Sequence, residues 1–378
     1  GRSSAASDVY KRQALRRQPP RVPARLDRLA AHASMTTSAS AAEVSQRAQQ
    51  WLTSHRYRFV VDDDGSLRAE AGRHRETGNL VFHIFLVFVL VGVGWNTLWG
   101  FKGTSVVVEG QGFSNSITQY DEFKAGAMVD TDNLTPFSMK LRKFVVSFET
   151  GTVQRGAARS FDATVDLTMG GKTQTRDLQV NHPLRIGSTK VHLLGHGYAA
   201  DVVVRDGDGK VAYSGPVVFL PQDANFKSVG VIKAPDARPD RLAFQGFFLP
   251  TGAITAGGPT SLFPDALNPQ LYLTAWYGKP TVETGVPSNI YTLDTTGLTQ
   301  VTNGKDKARF VLSPGQRYKL PDGKGSIQFN GWQRWAKIQV SQNPGLPLTF
   351  LSVVLSVAGL CVSCLLYTSP SPRDKRQS

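Results

Sequence analysis

Two long apolar runs, separated by a much larger polar region, constrain this chain more than any other feature. Residues 80–99 are apolar apart from His83, Asn96 and Thr97, and residues 346–366 form a second apolar run. A helix rises about 1.5 Å per residue, so about 20 residues cross the roughly 30 Å hydrocarbon core of a bilayer. Each run is therefore predicted to be a membrane-spanning helix.

The residues flanking the first run predict its orientation. Basic residues precede it and tryptophans close it: Arg73, His74, Arg75, Trp95 and Trp99. Lys and Arg favour the cytoplasmic side of a membrane, and tryptophan favours the interface. We therefore expect the N-terminal side to be cytoplasmic and the region between the runs to lie outside. The second run then returns inward, with Trp332 and Trp335 expected within reach of the interface.

The region between the runs, residues 101–345, has the pattern of a β domain. Apolar residues alternate with polar ones in short segments, as at Val106 and Val108, and Gly, Pro, Asn and Asp separate these segments. This pattern predicts ten or more mostly antiparallel strands. Asp206-Gly207-Asp208-Gly209 is a hairpin turn signal. It fails as a calcium loop, because Val217 stands where the twelfth-position glutamate is needed.

The predicted fold class is an integral membrane protein whose two helical spans bracket a large extracytoplasmic domain, mostly antiparallel β. The spans are assigned to residues 79–100 and 346–366. Residues 14–78 are predicted to be a cytoplasmic linker containing a small helix, with Ser40 as its N-cap, and a hairpin. Residues 1–13 and 367–378 resemble translated adaptor sequence, so we expect both ends to be foreign and the native protein to be longer. Cys364, close to the second of these ends, is a candidate member of the foreign tail.

Composition excludes several function classes. The formal net charge is +14, but charges of both signs are interspersed in the β region, so nucleic-acid binding is not indicated. The two cysteines, Cys361 and Cys364, lie in the second apolar run, which leaves the β region without disulfides. Their Cys-x-x-Cys spacing suggests a dithiol reductase only if a thiolate is accessible. No hydrolase, nucleotide or zinc-protease motif occurs, so whether the chain is an enzyme stays open.

His83 is the exceptional residue of the first span. An imidazole about one turn inside a spanning helix is costly unless it faces protein, water or a metal, and histidine is a common axial ligand of haem iron. In the alternative interpretation, His83 reaches the headgroups or bonds a neighbouring helix.

A second group of histidines lies in the β region. His182, His192 and His196 fall within fifteen residues, and neutral imidazole suits iron, copper and zinc. His192 and His196, four residues apart, share a face only if their strand continues unbroken to Gly195. Surface or turn histidines are the competing interpretation.

Several segments together resemble the ResB (CcsB) family of cytochrome c biogenesis proteins, most closely its actinobacterial versions. The likeness covers about residues 14–366. No single motif is diagnostic, so the resemblance depends on the order of these segments and on their spacing around the two spans. The segments are Glu76-Thr77-Gly78-Asn79-Leu80-Val81-Phe82-His83, Val107-Val108-Glu109-Gly110-Gln111-Gly112-Phe113-Ser114-Asn115, Val180-Asn181-His182-Pro183-Leu184, residues 195–223, Phe247-Phe248-Leu249-Pro250, Asn268-Pro269 and Gly331-Trp332.

This resemblance implies a membrane subunit that helps to carry haem across the bacterial cytoplasmic membrane and attach it to apocytochrome c. It implies a polytopic partner of the ResC (CcsA) type, haem as the transiently bound cofactor, and additional helices before the one containing His83. It also implies that His83 is an axial haem ligand, whereas no such role carries over to His182, His192 or His196. The alternative is a two-span envelope protein whose β domain is a ligand-binding or scaffold module.

Overall fold

A computed structural model describes residues 22, 25, 26, 29, 32–70, 74–280 and 291–365. The predicted foreign ends, residues 1–13 and 367–378, lie outside the described residues. The described residues divide into two compact units, one formed by those up to residue 97 together with those from residue 344 onward, and the other by those within Leu98–Asn343.

The described part of the first unit contains helix α1, Ala41–Ser54, followed by a hairpin of strands β1, Arg58–Val61, and β2, Leu67–Glu70. Ser40 caps α1 as predicted: its hydroxyl accepts from the Glu43 amide while the Glu43 carboxylate accepts from the Ser40 amide. This reciprocal arrangement satisfies two amides that the first helical turn leaves without partners.

Two longer helices complete this unit, α2 (His74–Trp99) and α3 (Leu346–Leu365). Within them, Glu76–Trp99 and Leu346–Cys364 are long and apolar enough to cross a membrane, with mean hydropathies of 2.0 and 2.1. Both helices are mostly exposed, as expected of surfaces that meet lipid rather than a soluble core. Leu366, the predicted end of the second span, lies outside the described residues.

Glycines bring α2 and α3 into close antiparallel contact. A Cβ atom on Gly78 would lie 2.6 Å from the Gly359 carbonyl oxygen, and one on Gly345 would lie 2.0 Å from the Gly92 carbonyl oxygen. The start of each helix therefore meets the end of the other. Small residues allow this approach of backbones, which drives helix association in lipid. Ser356 adds a hydroxyl that donates to the Phe82 carbonyl at 3.4 Å.

The second unit is built of β-strands. Its strands are β3 (Phe101–Val108), β4 (Gly112–Ser114), β5 (Glu122–Ala125), β6 (Ser138–Phe148), β7 (Ala158–Met169), β8 (Lys172–Gln179), β9 (Leu184–Ile186), β10 (Thr189–Asp206), β11 (Val211–Pro221), β12 (Ser228–Ala234), β13 (Arg241–Leu249), β14 (Gly252–Thr255), β15 (Gly258–Ser261), β16 (Gln270–Gly278), β17 (Thr299–Gln300), β18 (Thr302–Asn303), β19 (Asp306–Lys307), β20 (Arg309–Leu312), β21 (Arg317–Lys319) and β22 (Gly325–Gln342).

These strands form a 12-stranded sheet, a four-stranded sheet and two small hairpins. The large sheet runs β17-β16-β13-β12-β11-β10-β22-β3-β5, with β20, β21 and β9 paired at its sides, and the smaller one runs β4-β6-β7-β8. Pairing between the named strands is antiparallel throughout the described residues. The predicted turn is present between β10 and β11, where the Asp206 carboxylate accepts from the Asp208 and Lys210 amides.

Strands β10 and β22 pair along their whole lengths and anchor two hydrophobic clusters. One cluster includes Tyr198, Phe219 and Phe248, and the other includes Phe113, Leu141 and Ile338. Apolar residues alternate toward these clusters, which is the pattern that the sequence displayed. Two long apolar helices flanking a large antiparallel β-sheet region are therefore confirmed.

The expectation of interfacial roles for Trp332 and Trp335 is wrong. Trp335 is only 4% exposed, and its indole N–H donates to the carbonyls of Tyr198 and Phe219 at 3.0 and 3.1 Å. Trp332 is half-buried, with its ring against Tyr198. Both tryptophans lie on a strand, so their proximity in sequence to the second apolar run misled the prediction.

Candidate functional site

His83 lies in the first half of α2, where one of its ring nitrogens forms a hydrogen bond with the backbone. Nδ1 lies 2.8 Å from the carbonyl oxygen of Asn79, one turn earlier. A carbonyl can only accept, so Nδ1 carries the proton in this contact, and the Nε2 of a neutral ring is left with its lone pair free. This is the arrangement of metal-binding histidines, whose second nitrogen usually donates to a carbonyl or carboxylate.

The imidazole of His83 points away from α3. Gly78 is buried against Gly359, and Phe82 accepts from Ser356, which puts α3 on the Gly78 and Phe82 side of the helix. Successive residues are turned by about 100° around a helix, and the side chain of His83 is exposed. The helix pair thus presents His83 outward, where a group from outside this pair can reach it.

The three histidines of the β domain do not converge. His182 is exposed in a turn, and no group of three or more metal-ligating side chains is found among the residues that the structure describes. A β-bulge between Leu193 and Gly195 shifts the register of β10 against β22. His192 pairs with Gln339 and His196 with Ala336, which lie on opposite faces because their numbers differ by an odd count. The hypothesis of a three-histidine metal patch is therefore not supported.

The bulge turns His196 into the interior, among aromatic rings. Its ring centroid lies 4.7 Å from that of Phe226, 5.1 Å from Phe161 and 5.4 Å from Phe144. The residue is 8% exposed, and its Nδ1 is buried without a hydrogen-bond partner. Burial, reinforced by the positive charge of Arg334, lowers the pKa of His196 to about 4, so the imidazole is neutral near neutral pH.

Arg334 lies on the same face of the β10–β22 pair, opposite Tyr198. One of its terminal nitrogens, Nη2, donates to the Asp265 carboxylate at 2.7 Å, and its guanidinium carbon lies 4.8 Å from the centroid of the Tyr198 ring. The other, Nη1, is buried without a partner. Arg334 is 6% exposed, so this is a nearly buried cation with an unused donor.

Sequence reasoning missed Arg334, Phe226 and Asp265. One signal was present: Arg334 occupies an inward-facing position two residues from Trp332 and Ala336 in a strand-like segment, where an apolar residue is expected. Phe226 and Asp265 lie in loops, and their approach to β10 and β22 depends on contacts distant in sequence.

Cys361 and Cys364 are exposed free thiols on α3. Their positions on a long apolar helix are those predicted.

These features define a class of protein: two membrane-length helices, one of them with an outward-facing histidine, joined to a large antiparallel β domain. Within that class the family is clear. The chain belongs to the ResB-like family, whose model matches residues 8–369.

Two relatives carry the same name, cytochrome c biogenesis protein CcsB. The protein from Synechococcus sp. (strain JA-3-3Ab) is 22% identical over 312 residues, which are 82% of this chain and 55% of that protein. The protein from Picosynechococcus sp. (strain ATCC 27264 / PCC 7002 / PR-6) is 28% identical over 136 residues, 35% of this chain and 27% of that protein. The chain thus spans about half the length of the first relative.

Among solved structures, the Salmonella type III secretion secretin InvG aligns over 90% of this chain and 85% of that chain at 9% identity. Its TM-score is 0.08.

Proposed function

We propose that this chain is a membrane subunit of a ResB/ResC-type cytochrome c maturation complex. In this role it helps to carry haem across the bacterial cytoplasmic membrane and to attach it to apocytochrome c. Membership of the ResB-like family and the names of the relatives support the pathway. The helix pair and the outward-facing His83 support a role in holding haem.

The observation that carries the proposal is the hydrogen bond from Nδ1 of His83 to the Asn79 carbonyl. It orients the ring and selects the tautomer that carries its proton on Nδ1, so Nε2 of the neutral ring presents its lone pair as an axial ligand of haem iron. Because His83 faces away from α3, the second axial ligand must come from elsewhere. We assign it to a histidine of a polytopic ResC-type partner.

Haem is the cargo in this proposal, and the attachment chemistry does not draw on this chain. The thioether bonds join the vinyl groups of haem to cysteine thiols of the apocytochrome. Residues 101–345 contain no cysteine, so the β domain does not compete for the vinyl groups. Its proposed role is to hold or shield the apocytochrome while the partner positions haem.

The β domain is proposed to lie on the extracytoplasmic side, because basic residues precede α2 and tryptophans end it. Cysteines introduced at the exposed residues Lys172 and Ser54, in a chain with Cys361 and Cys364 replaced by serine, test this. An impermeant thiol reagent added to spheroplasts should label the Lys172→Cys chain and spare the Ser54→Cys chain. The reverse labelling would overturn the assignment.

The haem-ligand role is tested by co-expressing the full-length protein with its partner and comparing His83→Ala with the parent. We expect loss of bound haem and of the cytochrome c yield, with partial recovery when imidazole is added to the growth medium. His182→Ala, at an exposed turn, is the matched control and should behave as the parent. Unchanged haem content in His83→Ala would sink the ligand role and favour the scaffold alternative.

A further inference from the structure

The β domain contains a second feature that packing alone does not explain. Two buried polar atoms, Nδ1 of His196 and Nη1 of Arg334, have no hydrogen-bond partner. Buried polar groups are nearly always paired, because an unpaired one has lost its bonds to water without replacement. Two such atoms on neighbouring positions of one sheet face point to a missing ligand group.

The positions of the two residues make a shared ligand possible. His196 pairs with Ala336 and Tyr198 with Arg334, so His196 and Arg334 are diagonal neighbours on one face of the β10–β22 pair. A neutral imidazole can carry its proton on Nδ1, which makes both unpaired atoms donors. Two donors, one of them cationic, are suited to a carboxylate.

Aromatic side chains surround the two unpaired donors. The guanidinium of Arg334 lies 4.8 Å from the ring centroid of Tyr198, 5.6 Å from that of Trp332 and 6.0 Å from that of Phe148. Apolar surroundings with a few polar groups suit a flat apolar ligand that is held in orientation by one polar end.

Phe226 packs over the imidazole of His196. Its ring stacks on His196 with an interplanar angle of 22°, and its edge meets Tyr198 at 6.1 Å. The residue has a φ of 57°, a left-handed conformation that is unfavourable for an aromatic residue. It lies in the short turn between β11 and β12, where its amide donates to the Asp223 carbonyl at 3.1 Å. Outward movement of this turn would uncover the imidazole.

We propose that Arg334 and His196 form a carboxylate-binding site in the β domain, entered by displacement of Phe226, and that its ligand is a propionate edge of a porphyrin. This inference rests on the proposed function for the identity of the ligand. The inference that the ligand group is a carboxylate rests on the two unpaired donors alone. The site is separate from His83, because it recognises the acid groups of the porphyrin and not the iron.

Iron-free protoporphyrin IX and its dimethyl ester test the proposal with the full chain in detergent micelles. Without iron there is no axial ligation, so His83→Ala should bind the diacid as the parent does. Quenching of tryptophan fluorescence, to which Trp332 beside Arg334 contributes, reports binding. We expect the diacid to bind about ten-fold more tightly than the ester, the value of one charge-assisted hydrogen bond.

Variants distinguish porphyrin binding at this site from nonspecific adsorption of porphyrin to the protein. Arg334→Gln should weaken the diacid about ten-fold and leave the ester unchanged. Asp265→Asn removes the carboxylate that occupies Nη2, at a side chain 39% exposed, and should tighten diacid binding. It also keeps the proposal testable if Arg334→Gln does not fold. Phe226→Ala should speed association of the diacid.

Three results would overturn the proposal. The first is equal binding of diacid and ester, and the second is an unchanged diacid preference in both Arg334→Gln and Asp265→Asn. The third is equal competition by 2-naphthoate, which would mean a site for any aromatic acid. Loss of haem binding in His83→Ala, with the diacid preference absent throughout, would leave the proposed function standing and remove this site.

Discussion

The indole of Trp335 fills the space beside Gly197, its cross-strand neighbour. A Cβ atom on Gly197 would lie 2.4 Å from an indole ring carbon, and the indole N–H meanwhile donates to the carbonyls of Tyr198 and Phe219. Glycine at this position is therefore required by a close approach and not by backbone conformation. The contact joins β10, β11 and β22, the centre of the large sheet.

Gly197→Ala should destabilise the β domain. The methyl group would push the indole from its two carbonyl acceptors, and overpacking of this kind costs about 1–3 kcal/mol. Chemical unfolding followed by tryptophan fluorescence measures the loss. Gly195→Ala, two residues away and with no atom within 4 Å of the added carbon, is the control and should unfold with the parent. Equal stability of the two variants would contradict the steric argument.

Gly359→Leu should separate the two apolar helices. A Cβ atom on Gly359 would lie 2.8 Å from the Gly78 carbonyl oxygen. This oxygen belongs to the backbone of α2, so it cannot move aside without distorting the helix. The thermal stability of the helix pair in detergent should fall, because close backbone contact is what holds such helices together. The matched change is Gly94→Leu on α2, where an added Cβ meets nothing within 4 Å. A comparable loss in Gly94→Leu would mean that helix propensity, and not packing, is being measured.

Glu109→Gln should loosen the junction between the two sheets. The Glu109 carboxylate accepts from the Phe144 amide of β6 at 2.6 Å and from the Arg334 amide of β22 at 3.3 Å. Glutamine offers a single acceptor oxygen, and its NH2 group would face one amide donor, so we expect a loss of about 1–3 kcal/mol. Denaturant unfolding gives the value. Unfolding at the parent's midpoint would show that water replaces the lost acceptor.

Stability of the β domain should fall as pH drops from about 6.5 toward 4. In this window the unfolded chain protonates His196, whose ordinary pKa is near 6.5, while burial keeps the folded imidazole neutral down to its lowered pKa of about 4. More protons are bound in the unfolded state, so stability rises with pH, by up to about 3 kcal/mol across the window.

His196→Phe removes this titration and should flatten the pH dependence above pH 5, where carboxylates with lowered pKa values, such as Asp166, are not yet protonated. The slope of the unfolding free energy against pH is the measurement, since the absolute stability also changes with packing. His192, whose pKa is also lowered by partial burial, contributes a smaller slope of the same sign, which remains in the variant. An identical slope in parent and variant would exclude His196 as its source.

Much of the fold follows from local patterns. The apolar runs around His83 and Cys361 are long enough to leave few alternatives to helices, and alternation within residues 101–345 identifies strands one by one. Sheet order does not follow, because the pairing of β10 with β22 joins segments far apart in sequence. Trp335 was misplaced for the same reason: its partners, Tyr198 and Phe219, lie more than a hundred residues away.

The two candidate sites also differ in how far the sequence alone predicts them. His83 is conspicuous because an imidazole is expensive in an apolar helix, so the sequence alone singled it out. His196 and Arg334 are not conspicuous, since histidine and arginine are ordinary in a polar β domain. Their importance depends on a bulge and on rings brought in from distant loops, which no local pattern encodes.

The bulge between Leu193 and Gly195 also affects how relatives are to be compared. One additional residue in β10 decides whether the histidine four positions after His192 is solvated or enclosed. A relative with a histidine four positions after the residue aligned with His192, but without the bulge, would carry it on the opposite side of the sheet. The spacing of this histidine from the residue aligned with His192, taken together with the presence of the bulge, therefore tells which homologues retain the enclosed imidazole.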